Sequence, residues 1–150
     1  MGQHNAIIAW RRTTDDFSYE SYNRDHEWRF DNGPTIAASA APAFRGTPQR
    51  LDPEESFVAS IASCHMLTFL AICARRRLVV EEYVDQAVGY LETNSKGALA
   101  ITRVRLSPRI RFSGDAPDRE QLRRLHELSH SECFIANSVN TEINVDMGGN

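Results

Sequence analysis

Apolar residues along the chain switch between two periods, and the switches outline the elements. From His26 to Phe30, His, Trp and Phe alternate with Glu and Arg, the period of two that a half-buried strand requires. Ala6 to Arg11 reads as a short strand before it and Thr35 to Ala41 as a strand after it. Asp31-Asn32-Gly33 supplies a hairpin turn between the last two, because Asn and Gly accept the positive φ such turns need. Pro42, Gly46 and Pro48 then break any period, so Pro42 to Leu51 reads as a loop.

At Asp52 the period lengthens. Asp52 can cap free amides, Pro53 fits a first helical turn, and Glu54 and Glu55 suit the positive end of a helix dipole. The helix predicted from there runs to about Arg77. Its apolar residues, among them Phe57, Ile61, Met66, Phe69 and Ile72, cover much of its circumference, so it needs enclosure on several sides. Glu82 to Thr93 and Ala98 to Ser113 then read as paired strands joined at Asn94-Ser95-Lys96-Gly97, with a bulge or an edge at Pro108. Arg103, Arg105, Arg109 and Arg111 alternate with apolar residues there and form a solvated face. Pro117-Asp118 starts a second helix, with Leu122, Leu125 and Leu128 in helical period, ending near His130. Val139 to Met147 alternates again as a last strand. The order of strands, long helix, strands, helix and strand is an α+β pattern.

A length of 150 residues suits a single domain spanning 1–150. With 41% apolar and 25% charged residues, the composition is that of a folding soluble chain. A net charge of -3 gives no broad reason to bind nucleic acid. Arg75-Arg76-Arg77 follows the apolar helix and reads as its solvated C-terminus. The N-terminus lacks the charged and apolar regions of a signal peptide, so a cytoplasmic location is expected. Phe57 to Val80 is interrupted by Ser60, Ser63, His65, Thr68 and three arginines and reads as a buried helix rather than a membrane span.

Three cysteines, Cys64, Cys73 and Cys133, are too few for a secreted disulfide framework and too scattered for a zinc site. They are either inert core thiols or reactive ones. Cys133 lies where the chain leaves one helix and can begin another turn, so free amides near its sulfur would favour thiolate. His65 points about 100° away from Cys64 around the helix, which suits a packed or interface histidine better than a Cys-His catalytic pair. His126, His130 and Cys133 have spacing compatible with metal ligation, but no accompanying second cysteine or carboxylate pattern, so no metal is expected.

Asp52-Pro53-Glu54-Glu55 followed by Ala59-Ser60-Ile61-Ala62-Ser63-Cys64-His65-Met66 resembles the Asn-Pro-Glu-Glu…Ala-Ala-Cys helix of the OsmC/Ohr family, and His130-Ser131-Glu132-Cys133 resembles its second cysteine motif. The resemblance covers nearly the whole chain. It implies an α+β, OsmC-like intertwined homodimer, with antiparallel sheets around long buried central helices and active sites near the dimer interface. It also implies a thiol peroxidase that needs no bound cofactor. Cys64 would attack an organic hydroperoxide, Cys133 would resolve the sulfenic acid as a disulfide, and an external dithiol, in the family often dihydrolipoyl protein, would reduce it.

The family activates its thiol with an arginine held by a glutamate. The glutamate corresponds to Glu54. The arginine corresponds to Arg24, in Asn23-Arg24-Asp25, if this chain follows the organic hydroperoxide branch. If it follows the osmotically inducible branch, Arg45 or Arg50 takes that place, with Arg45 the second choice. Since 64 − 54 = 10 residues of helix at roughly 1.5 Å rise span about 15 Å, Glu54 cannot touch the sulfur of its own chain and must act across a dimer or through a long arginine. Cys73 has no counterpart in the family and is expected in the core. Ser63-Cys64-His65 departs from the family's usual Ala-Cys followed by a less polar residue. Two other readings stand beside the peroxidase: a non-catalytic dimeric stress or ligand-binding protein of the same fold, and a cysteine hydrolase, for which Cys64 lacks a convincing base.

Overall fold

A computed structural model of the protein describes residues 1–31 and 33–148 and divides the chain into two units, Met1–Ser56 and Phe57–Asn150. The first unit carries β1 (Ile7–Ala9), β2 (His26–Arg29) and β3 (Ile36–Ala38), an antiparallel sheet in the order β1-β2-β3. Each strand is shorter than the stretch expected for it. Asn32, at the centre of the expected hairpin turn, lies outside the described residues. The expected loop after β3 contains a 3-10 turn at Pro42–Phe44, closed by Arg45 at φ 65°. The loop is tied back where the Thr47 hydroxyl donates to Asp25 at 2.6 Å and the Thr47 amide donates to the buried Ser39 hydroxyl at 3.1 Å.

α1 (Pro53–Arg75) starts as its sequence dictates. The Asp52 carboxylate accepts the Glu55 amide at 2.7 Å, and the Glu55 carboxylate accepts the Asp52 amide at 3.4 Å, a reciprocal box that satisfies two otherwise free donors. The helix stops two residues earlier than expected. Arg77 turns left-handed at φ 61°, the Leu78 amide donates to the Cys73 carbonyl, and the Arg77 amide donates to the Ala74 carbonyl, which together close the helix without a glycine.

In the second unit both long predicted strands are broken. The run read as Glu82 to Thr93 is two strands, β4 (Val79–Asp85) and β5 (Val88–Thr93). The run read as Ala98 to Ser113 is β6 (Leu99–Leu106) and β7 (Pro108–Ser113). β4 pairs antiparallel with β7 in one sheet, and β5 pairs antiparallel with β6 in another. The Asp85 carboxylate accepts the Ser107 amide at 2.7 Å and so joins the two breaks. Pro108 opens its strand, where a missing N–H costs no ladder bond. The four strand arginines are exposed as expected, Arg103 pairing with Glu92 at 3.0 Å.

α2 (Arg119–Glu132) is capped by Asp118 and Gln121 in a second reciprocal box and runs two residues past His130. After a 3-10 turn at Ala136–Ser138 comes β8 (Glu142–Val145), shorter than predicted and parallel to β6.

α1 buries one stripe, Ile61, His65, Phe69, Ile72 and Cys73, and this stripe feeds two core clusters. Ile61 packs with Val104 and Leu106 of the β5-β6-β8 sheet. Phe69, Ile72 and Cys73 pack with Leu125 of α2, with Tyr83 and Ile110 of the β4-β7 sheet against them. Gly89 allows the close approach to β5, because a Cβ there would meet the Val58 side chain at 2.4 Å. The remaining surface of α1 is largely open in a single chain: only 28% of its most apolar stretch is buried. By length and a mean hydropathy of 1.9 that stretch is apolar enough to cross a membrane, despite the polar interruptions that argue otherwise in the sequence. Its packed inner stripe is that of a core helix.

Candidate active site

Cys64 and His65 sit at the junction of the two core clusters and look in different directions. Cys64 is half-buried on the wall of an open groove of about 790 Å³, formed by α1 and by the segment after α2. The mouth of that groove is apolar, since Leu67 is 60% and Phe134 81% exposed. Arg75, paired with Glu132 at 3.1 Å, also lines it.

Cys133 reaches the same place from the C-terminal cap of α2, so 68 residues (133 − 64 − 1) of intervening chain fold back to set the two sulfurs side by side as free thiols. Cys133 is 1% exposed. The expected amide is present, Ala136 N–H donating to the sulfur at 3.4 Å, and it does favour the thiolate. It does not prevail. Burial and then the neighbouring Cys64 thiol push the Cys133 pKa up, which corrects the expectation of a thiolate there. Two adjacent thiols, one accessible and one buried and held protonated, can exchange electrons as a dithiol–disulfide couple. Cys73 is a buried core thiol, as expected, with its pKa raised by desolvation.

The other predicted site residues belong to the first unit. The Arg24 guanidinium donates to the carbonyls of Tyr19 and Tyr22 and lies 3.7 Å over the Tyr22 ring and 5.2 Å from the Tyr19 ring centroid. Arg45 stands over the other end of this cluster, 5.8 Å from the Tyr19 centroid. Arg50 is engaged by Asp25 at 3.1 Å. Behind Arg24, the Trp28 indole donates to His26 Nε2 at 2.9 Å. The proton of neutral His26 is therefore on Nδ1, which donates to the Arg24 carbonyl at 2.8 Å. A fixed cation with an aromatic face results. One oxygen of Glu54, Oε2, is buried with no hydrogen-bond partner among the described residues.

His126 was missed as a partner. Its Nδ1 lies 3.0 Å from His65 Nε2, both residues are buried, and its ring stacks on Phe69 at 4.6 Å. Burial, with the charge of His130 second for His65 and that of His65 second for His126, lowers both pKa values to about 4. A packed histidine at position 65 was legible. Its partner 61 residues away was not. His130 is exposed, and no group of three or more His, Cys, Asp or Glu side chains is placed to hold a metal among the described residues.

A paired-thiol site on this α+β frame defines the class, and the sequence agrees: residues 46–148 match the model of the OsmC-like protein family, to which the chain belongs. An OsmC-like protein of unknown function from Vibrio cholerae O1 biovar eltor strain N16961 is 46% identical, with a TM-score of 0.93 over 97% of this chain and 99% of that one. An organic hydroperoxide resistance protein from Elizabethkingia anophelis superposes with a TM-score of 0.74 at 18% identity, over 100% of this chain and 98% of that one. The organic hydroperoxide resistance protein OhrB of Bacillus subtilis does so with 0.69 at 16%, over 97% of each chain. At such identities the last two establish a shared fold. No curated protein matches the chain in sequence.

Proposed function

We propose that this protein is a thiol peroxidase acting on organic hydroperoxides. The observation that carries the reading is the pairing of a half-exposed Cys64, on an apolar groove, with a buried Cys133 whose thiol stays protonated. The Cys64 thiolate attacks the outer oxygen of ROOH. The O–O bond breaks, the sulfur becomes a sulfenic acid, and the alkoxide takes a proton to leave as ROH. Cys133 then attacks that sulfur, an S–S bond forms, and its proton leaves with the hydroxide as water. Per cycle, ROOH and two thiols give ROH, water and a disulfide, which an external dithiol such as a dihydrolipoyl protein reduces. No bound cofactor takes part.

Arg24, which the Tyr19 and Tyr22 carbonyls hold in the single chain, is the proposed cation that stabilises the Cys64 thiolate, with Glu54 as the carboxylate that engages it in the working form and Arg45 as the alternative cation. The pre-set Arg24 guanidinium and the unpartnered Glu54 oxygen support these roles. We assign the working form as a homodimer, since the open apolar side of α1 calls for a second copy, and propose a cytoplasmic location from the sequence alone. Titrating the reduced protein with cumene hydroperoxide tests the reading. One equivalent should remove two of the three thiols and leave Cys73. Retention of all three would instead favour a non-catalytic, ligand-binding use of the groove.

A further inference from the structure

Cys133 is placed by α2, so whatever fixes α2 against α1 also fixes the separation of the two sulfurs. Contacts of three kinds make that junction among the described residues. The apolar one, Leu125 among Phe69, Ile72 and Cys73, has no direction and tolerates sliding. The ionic one, Arg75 with Glu132, is roughly half exposed and screened by salt. The third is the buried His65–His126 hydrogen bond, which is directional and shut away from water. His65 adjoins Cys64, and His126 precedes Cys133 by seven residues (133 − 126), two turns of one rigid helix.

The bond is not there for stability alone. His126 Nε2 is buried with no partner among the described residues, a cost that two apolar side chains would avoid. Buried polar pairs that carry such a cost are best attested as devices that set register. With both rings neutral, His126 Nδ1–H donating to His65 Nε2 leaves Nε2 of His126 as an unpaired acceptor, the cheaper of the two tautomeric choices.

We propose that His65 and His126 are positioning residues whose hydrogen bond holds α2 in the register that keeps Cys133 against Cys64. The inference rests on the two cysteines working as a redox pair, as in the function proposed above. It sets the efficiency of the S–S step and leaves attack on the peroxide to Cys64.

The test equilibrates the full-length protein with glutathione, where GSSG plus the two thiols gives two GSH plus the Cys64–Cys133 disulfide. Two variants separate register from packing. His126→Phe keeps the stack on Phe69 and loses the N–H, while His126→Asn places an amide N–H near the old Nδ1 and loses the stack. Register control lowers the equilibrium constant about tenfold in His126→Phe and leaves His126→Asn within about twofold of the parent. The reverse order, or an unchanged His126→Phe, overturns the proposal. If His126→Phe does not fold, His65→Leu against His65→Gln gives the same contrast, because the Gln oxygen can replace Nε2 as acceptor. Glutathione rather than peroxide drives the reaction, so a parent chain that ignores cumene hydroperoxide but shows this order sinks the peroxidase reading alone. A parent that forms no Cys64–Cys133 disulfide in oxidised glutathione overturns the register proposal.

Discussion

Two of the contacts by which α1 meets the C-terminal part of the chain are adjacent in sequence and opposite in character. Cys64 faces Cys133 beside a groove that a small molecule can enter, whereas His65 faces His126 in a place water does not reach. About 100° of helix rotation separates them. The difference teaches that reaction and alignment make contrary demands. A reacting sulfur has to be reached by its substrate, and a hydrogen bond that aligns two helices does its work best where no water competes for it.

The sharpest way to break the comparison is at the accessible sulfur. Cys64→Ser should abolish peroxide consumption, since no other described thiol is both accessible and paired. Cys133→Ser should permit one turnover and leave a sulfenic acid that dimedone traps and mass spectrometry detects. Equal first-turnover rates in the parent and Cys64→Ser would remove Cys64 from the attacking role. Next in size is Arg24. Its loss in Arg24→Ala should slow turnover about a hundredfold and raise the pH at which iodoacetamide alkylates Cys64. Arg24→Lys keeps the charge without the planar fork, so its activity should stay low even at alkaline pH. If only the matching Arg45 variants behave this way, the role passes to Arg45.

Much of this was legible because the signals are local. Asp52 through Glu55 and Asp118 through Gln121 cap their helices from within four residues, and the alternation of β2 and β8 states which side is apolar. The strand breaks near Gln86 and Ser107 were not legible. Alternation runs on past Ser107, where Pro108 suggested only a bulge or an edge, and the long-range bond from the Ser107 amide to Asp85 that joins the two breaks has no local signal. The two cysteines were found through family-like motifs rather than periodicity. Nothing in Ser63-Cys64-His65 pointed to His126, because a contact 61 residues away leaves no trace in helical period. The state of Cys133 was misjudged for a similar reason: the nearby amide is visible in sequence, and the burial that outweighs it is not.

The two faces of α1 should also differ in stability. Phe69 is fully buried among Ile72, Cys73 and Leu125, so Phe69→Ala should cost about 3–5 kcal/mol in urea unfolding. Leu67, 60% exposed, should cost within about 0.5 kcal/mol in a lone chain. In a homodimer that covers this face, Leu67→Glu should instead shift light scattering at micromolar concentration from dimer to monomer. A parent that scatters as a monomer at that concentration would refute the dimer outright.

A graded effect isolates the closed contact through pH. An unfolded histidine titrates near 6.5, while burial lowers His65 and His126 to about 4 in the folded chain. Between those values the unfolded chain binds more protons, so the stability due to two neutral rings is complete above pH 6.5. It is lost as pH falls toward 4. The groups around the pair do not reverse this sign. His130 on α2 adds positive charge that opposes protonation of His65, and Tyr83 of β4, against Phe69, is kept neutral because burial and then Asp85 push its phenol up. Cys73, on the same helix, is likewise held neutral by burial. One pH unit below the unfolded value, each ring should have lost about 1 kcal/mol. Urea midpoints of the parent should therefore fall between pH 7.5 and 5.5 more steeply than those of a His65→Leu/His126→Phe double variant. The remaining histidines are common to both proteins and cancel in the difference. Parallel slopes would mean that the buried pair does not titrate on unfolding, and that His65 and His126 are not shut away from water as the structure places them.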